Sequence, residues 1–247
     1  MEALGNAGDR RAVPLLVEVV RDSASPVPAR SQAIRALAGT EAGAAELLKA
    51  GEREQAGWDA GLRTTAARAL AQARWPTIRE AAGRVFPVPR LADGAPLPGV
   101  VELSRRKGDP ARGAGVFRSE KAGCIKCHRV EAEGVDFGPA LSQIGGKLGK
   151  EALYEAILEP SAGISFGFEG WDFELRGGDT VSGRLASETA EELAVKQPAG
   201  VVVRVPKATV VRRVAQPLSV MPAGLGELLT VEELVDLVEY LTTLRGR

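Results

Sequence analysis

Every cysteine of this 247-residue chain, and its only histidine, lie within five residues of one another in Cys124-Ile125-Lys126-Cys127-His128. No other segment restricts the fold so strongly, because whatever these three side chains bind must sit against the backbone that carries them. A dithiol redox pair, half of a zinc site and a covalent haem anchor share the Cys-x-x-Cys core. Zinc wants four ligands, and the chain offers no further cysteine or histidine. A thioredoxin-like dithiol expects a βαβ setting, whereas this motif reads as the close of a helix. The spacing suits the remaining chemistry. Two thiols three residues apart add across the two vinyl groups of one haem, and the imidazole of His128 is then held beneath the iron as proximal ligand.

The sixth iron ligand is restricted in the same way. With the one histidine used, bis-histidine ligation within the chain is impossible. Met221 is the only internal methionine, in Ser219-Val220-Met221-Pro222. A lone methionine is commonly core filler. Beside a haem, its neutral thioether favours ferrous over ferric iron and raises the potential relative to nitrogen ligation. Met221 is therefore the candidate distal metal ligand and His128 the proximal one.

The rest of the chain sorts into three patterns. Residues 1–88 read as Ala-rich helices in which Ala33-Ile34-Arg35-Ala36-Leu37-Ala38 returns as Ala66-Ala67-Arg68-Ala69-Leu70-Ala71, an offset of 33 residues, and Leu15-Leu16 returns at that offset as Leu48, with Leu47 beside it. That period suggests a solenoid, and Asp9-Arg10-Arg11-Ala12-Val13-Pro14-Leu15-Leu16 resembles the start of a HEAT repeat; a generic helical bundle is the plainer reading. Residues 89–103 read as a proline-rich linker, introduced by Pro87. Residues 104–247 read as a second domain. Asp109-Pro110 opens a helix expected to run to Gly123, a second helix is expected over 148–158, and Thr230-Val231-Glu232-Glu233 is a capping box for a terminal amphipathic helix. Between them, residues 166–215 alternate apolar and polar residues around turns such as Gly177-Gly178-Asp179. Four or five short antiparallel strands are predicted there, as a small barrel or curled sheet. The fold class is mainly α: a HEAT-like solenoid plus a helical haem domain with a small antiparallel β insertion.

Composition removes other functions. Thirty-two basic side chains balance 32 acidic ones, so nucleic acid is not an expected partner. No apolar run is long enough to cross a membrane, and no export signal opens the chain. Gly145-Gly146-Lys147 lacks the spacing of a phosphate loop, and nothing supports hydrolysis or group transfer.

The second domain resembles a class I cytochrome c, and more closely the c-type haem domain family of planctomycete and verrucomicrobial bacteria. The resemblance is carried by Gly108-Asp109-Pro110-Ala111-Arg112-Gly113 with Phe117, Cys124-x-x-Cys127-His128, Gly138-Pro139-Ala140-Leu141, Glu159-Pro160-Ser161 with Ile164, Ser219-Val220-Met221-Pro222 and Leu237-Val238-Glu239-Tyr240-Leu241. It implies that the Pro139 carbonyl orients His128, that Leu141 packs on the haem face, and that the first and last helices cross at Gly113 near Phe117 and Tyr240. It also implies a β insertion and preceding HEAT-like repeats, often behind a dehydrogenase domain. Phe166, Phe168 and Trp171 offer a cover for the haem edge or a partner surface, with ordinary core packing the expected role.

The function expected is electron transfer through one covalent haem c, not enzymatic turnover. The partners would be a dehydrogenase donor and a terminal acceptor, in the periplasm or otherwise outside the cytoplasm, with the sequence in hand a fragment lacking its leader. A haem-based sensor or peroxidase with an open or labile sixth site is the alternative, and a docking scaffold that merely tethers haem is a third reading. Glu227, Glu232, Glu233 and Glu239 are expected to steer a charged redox partner.

Overall fold

The structure, a computed structural model, describes residues 11–54 and 58–246. Asp9 and Arg10, the start of the HEAT-like signature, lie outside these residues. Two compact units divide the chain: one runs to Gly99 and includes Ser161–Gly163, and the other comprises Val100–Pro160 and Ile164 onward.

The first unit holds α1 (Ala12–Arg21), α2 (Val27–Ala38), α3 (Glu41–Glu54), α4 (Ala60–Ala71) and α5 (Pro76–Val85). Proline opens α2 and α5 in the first turn, where its missing N–H costs nothing, and the Asp59 carboxylate caps α4 by accepting from Leu62 N–H at 3.0 Å. The 33-residue repetition falls on α2 and α4, which pack together, and it buries equivalent residues: Ala33, Ile34 and Leu37 on one, Ala66, Ala67 and Leu70 on the other. In the same alternating manner α1 packs on α3 and α3 on α5. After α5 the chain is not merely a spacer. Leu91 and Leu97 are buried, and Arg90 pairs with Pro96 across a turn at Gly94. The stretch read as linker through residue 103 ends earlier, because Val100–Arg105 forms α6 and buries Val100 and Leu103. Pro87, Pro89, Pro96 and Pro98 all precede Val100, so no proline blocks a helix there.

In the second unit, α7 (Pro110–Arg118) is capped by Asp109, whose Oδ1 accepts from Ala111 and Arg112 N–H at 2.8 and 3.2 Å. This helix stops five residues short of Gly123. The chain turns at Ser119, and the Cys-x-x-Cys segment is a separate 3-10 turn, Cys124–Lys126. A small hairpin follows, β1 (Arg129–Val130) with β2 (Glu133–Gly134), then α8 (Ile144–Lys147) and α9 (Lys150–Leu158). The terminal α10 (Val231–Thr243) carries the expected capping box, with Glu233 N–H donating to Thr230 Oγ1 at 3.1 Å and Thr230 N–H to Glu233 at 2.8 Å. α10 crosses α7 at Gly113. There a Cβ would run into the Asp236 backbone, so only glycine allows this approach. Phe117 and Tyr240 meet beside the crossing, ring centroids 5.8 Å apart.

The insertion is a five-stranded antiparallel sheet: β3 (Gly170–Leu175), β4 (Thr180–Glu188), β5 (Glu192–Lys196), β6 (Val202–Pro206) and β7 (Val210–Ala215), in the order β6-β5-β4-β3-β7. Laid flat, its outermost strands would stand about 19 Å apart, four spacings of about 4.8 Å. Yet β6 and β7 are joined by Lys207–Thr209 alone, a connection reaching at most about 15 Å. The sheet must therefore curl, and irregularities at Glu174/Leu175 and Leu185/Ser187 help it do so. Phe173, Leu193, Val195 and Val205 fill the inside of the curl, with Trp171 packed against them. Phe166, expected in a core, is 97% exposed on the segment leading into β3. Phe168 instead lies under the Arg184 guanidinium, 4.6 Å from its centre.

Candidate functional site

Cys124 and Cys127 stand on one tight turn whose backbone closes on itself: Cys127 and His128 N–H both donate to Cys124 O, at 3.2 and 2.9 Å. Both thiols are free and half-buried. Burial pushes the Cys124 thiol up to about 11 and moves Cys127 in the same direction. That is the reverse of a dithiol oxidoreductase, whose attacking thiol is held low to be a thiolate. Among the described residues, no group of three or more His, Cys, Asp or Glu side chains is placed to hold a metal ion. Neither observation favours the dithiol or the zinc reading, although the motif forms its own 3-10 turn and does not close a helix.

The chain after the motif folds back over it. Val135 N–H donates to Ile125 O at 3.1 Å, Phe137 and Gly138 N–H to Cys127 O at 3.1 and 2.7 Å, and Leu141 N–H to Arg129 O at 2.8 Å. This return brings Pro139 O to 2.8 Å from His128 Nδ1. A carbonyl only accepts, so Nδ1 carries the proton. Burial keeps the imidazole below its ordinary value, against the opposing pull of the Pro139 carbonyl. The ring is thus neutral at neutral pH, with its Nε2 lone pair available to a metal. Gly138 is packed against the ring, where a Cβ would stand 2.6 Å from Cε1, 2.9 Å from Nδ1 and 3.1 Å from Nε2.

Of the residues singled out in the sequence, the structure joins Cys124, Cys127, His128 and Pro139 into one loop and puts Leu141 on the same loop, half-buried. Met221 is half-buried on a separate segment between β7 and α10, its N–H donating to Ser219 Oγ at 3.1 Å. The residues fit a covalent haem in three respects. Two protonated thiols share a turn, the imidazole is neutral with an oriented Nδ1–H, and the backbone behind the ring leaves no room for a side chain.

The carboxylates of α10 differ from expectation. Glu239 accepts from Gly108 N–H and Lys150 at 3.0 and 2.6 Å, and Glu233 pairs with Lys121 at 2.6 Å besides capping its helix. Their charges are spent inside the unit, which leaves Glu227 and Glu232 as the exposed ones of the four. Sequence reasoning missed Asp236. This buried carboxylate accepts from Arg112 at 2.6 and 3.1 Å and from Asp109 N–H at 2.6 Å, tying the start of α7 to α10. Its place amid the apolar residues of α10 was the available signal, since a charge on a core face needs a partner.

Among the described residues no helix is long and apolar enough to cross a membrane. No curated protein matches the chain. Residues 110–194, from the first turn of α7 through the Cys-x-x-Cys-His motif into β5, match the family described as Cytochrome c, which supports a c-type cytochrome with covalently bound haem and a haem-based electron-transfer role.

Proposed function

We propose that this protein is an electron carrier with one haem c, attached through Cys124 and Cys127 and ligated by His128 and Met221, and that it is not itself an enzyme. The observation that carries the reading is the 2.8 Å contact between His128 Nδ1 and Pro139 O, with Gly138 behind the ring. It fixes one tautomer of a neutral imidazole and leaves Nε2 unprotonated, as a metal ligand must be. The bound group supplies a reversible one-electron couple. The chain's own residues would hold it: the Cys124 and Cys127 thiols would anchor it, Pro139 would orient His128, and Met221 would offer a thioether that raises the potential.

The helical unit fits a HEAT-like docking scaffold, supported by the alternating packing of α1, α3 and α5 and of α2 with α4. In this reading the protein is a module of a larger exported dehydrogenase system, taking electrons from a dehydrogenase and passing them to a terminal acceptor. The exported location follows from where thioether attachment of haem takes place.

The test is to produce the protein in a host with c-haem maturation machinery and extract it with acid–acetone. Haem is expected to stay with the denatured polypeptide and to be released from the Cys124→Ala/Cys127→Ala variant. Extractable haem in the unmutated protein would end this reading. Rapid binding of exogenous ligands, with no sulfur-to-iron band in the ferric spectrum, would favour the sensor or peroxidase alternative.

A further inference from the structure

The five-stranded sheet lies between the two segments that carry the candidate ligands. Asp136 stands two residues before Gly138 and three before Pro139, so whatever holds Asp136 holds the strip behind His128. Its carboxylate accepts from Lys196 Nζ at 2.8 Å and lies 4.0 Å from the Arg184 guanidinium. Arg184 and Lys196 are direct cross-strand partners on β4 and β5, on the face turned away from Phe173. Like charges opposed in this way repel. Their side chains are only 12% and 15% exposed, and Arg184 Nε is buried without a hydrogen-bond partner. The Asp136 carboxylate offsets that repulsion by sitting against both cations. Next to Asp136, Val135 rests against Gly200, where a Cβ would come within 3.1 Å of it.

The neighbouring position on the same face is Gly170, paired across from Arg184. Here the other segment docks. Gln216 N–H donates to Gly170 O at 2.8 Å, and Gln216 Nε2 and Ser182 Oγ both donate to Asp172 Oδ1, at 2.8 and 2.6 Å. A Cβ on Gly170 would stand 3.0 Å from Val220 Cγ1, and Val220 immediately precedes Met221. Lys196, Arg184 and Gly170 thus form a row across three strands, two spacings of about 4.8 Å each. One end of the row holds the strip behind His128 and the other holds the segment of Met221.

The geometry points to the inserted sheet as a template that fixes the His128 loop and the Met221 segment in one register, with Asp136, Arg184, Lys196 and Gly170 as positioning residues. A stiff antiparallel sheet suits this task better than a loop, because its cross-strand register cannot slip by one residue without turning every side chain over. The inference rests on the His128 and Met221 reading given above.

Two single variants of the haem-loaded protein test it: Asp136→Asn, which leaves two buried like charges opposed, and Val220→Ala, which thins the second contact without crowding Gly170. Amide exchange is expected to quicken over residues 135–141 in the first and 216–222 in the second. In both, exogenous imidazole should bind about tenfold faster, the low end of what partners of metal-ligand residues contribute. Adding Lys196→Met to Asp136→Asn relieves the opposed charges without restoring the lost tie, so exchange over residues 135–141 should stay fast, and Glu188→Gln, a carboxylate on the same sheet that faces neither segment, should change nothing. Unaltered exchange and imidazole binding in both single variants would overturn the template. Faster exchange in both, together with imidazole binding and a ferric spectrum that even Met221→Ala leaves unchanged, would overturn the Met221 reading and leave the template standing.

Discussion

The helical unit and the haem-motif segment solve the problem of a core in opposite ways. In α1–α5, Ile34, Leu37, Leu47, Leu62 and Leu70 are essentially inaccessible and meet one another, so the apolar periodicity alone accounts for the packing. Over residues 119–149 the buried apolar side chains are Ala122, Val130 and Phe137, while Cys124, Cys127, His128 and Leu141 stay half-exposed. That segment is held chiefly by backbone hydrogen bonds to its own motif and to the end of the chain, as in Gly145 N–H to Leu244 O at 2.8 Å. The first region is held by apolar side chains packed on one another, and the second by backbone hydrogen bonds closed around its own motif.

The strongest way to break the comparison is to remove the attachment. In Cys124→Ala/Cys127→Ala, amide exchange over residues 119–149 should accelerate about a hundredfold, a loss of roughly 2.7 kcal/mol of local protection, with α1–α5 unaffected. Equal acceleration in both regions would show that they do not differ in this way. A smaller effect is expected from Gly113→Leu, which forces a side chain into the Asp236 backbone. It should cost about 3 kcal/mol in the thermal unfolding of the haem unit and nothing in the transition of the helical unit.

Acid sharpens the contrast next. Burial alone would raise the Asp236 carboxyl, but hydrogen bonds from Arg112 and from Asp109 N–H outweigh it and hold the group below the usual carboxylate value. The stability this adds is complete above the unfolded value of about 4 and is lost as pH falls through the lower folded value. Asp236→Asn should therefore cost about 2 kcal/mol near pH 7 and shrink the difference in stability between pH 7 and pH 3, as measured by urea unfolding. The smallest effect concerns partners. Neutralising Glu227 and Glu232 should reduce the ionic-strength dependence of reduction by a small cationic donor in stopped flow; an unchanged salt slope would place docking elsewhere.

Much of this was legible in the sequence, for identifiable reasons. Caps at Asp109 and Thr230, the β alternation and the Cys-x-x-Cys-His spacing are local, and local chemistry determines them. The end of α7 at Arg118 was not legible, because Ser119 turns the chain by satisfying local backbone groups rather than by breaking an apolar pattern. Nor was the meeting of Asp136 with Arg184 and Lys196. That contact requires the cross-strand register of β4 and β5, and no single segment contains it. The carboxylates of α10 misled for the same reason: their partners Lys121, Lys150 and Arg112 lie about 90 to 125 residues away in sequence.

The most direct test of the central claim is a spectroelectrochemical titration of the matured protein alongside Met221→Ala. One reversible one-electron transition is expected in the unmutated protein, with a sulfur-to-iron band in its ferric state. In the variant that band should disappear and the midpoint should fall. The absence of a reversible transition, or a midpoint and ferric spectrum that Met221→Ala leaves unchanged, would contradict it.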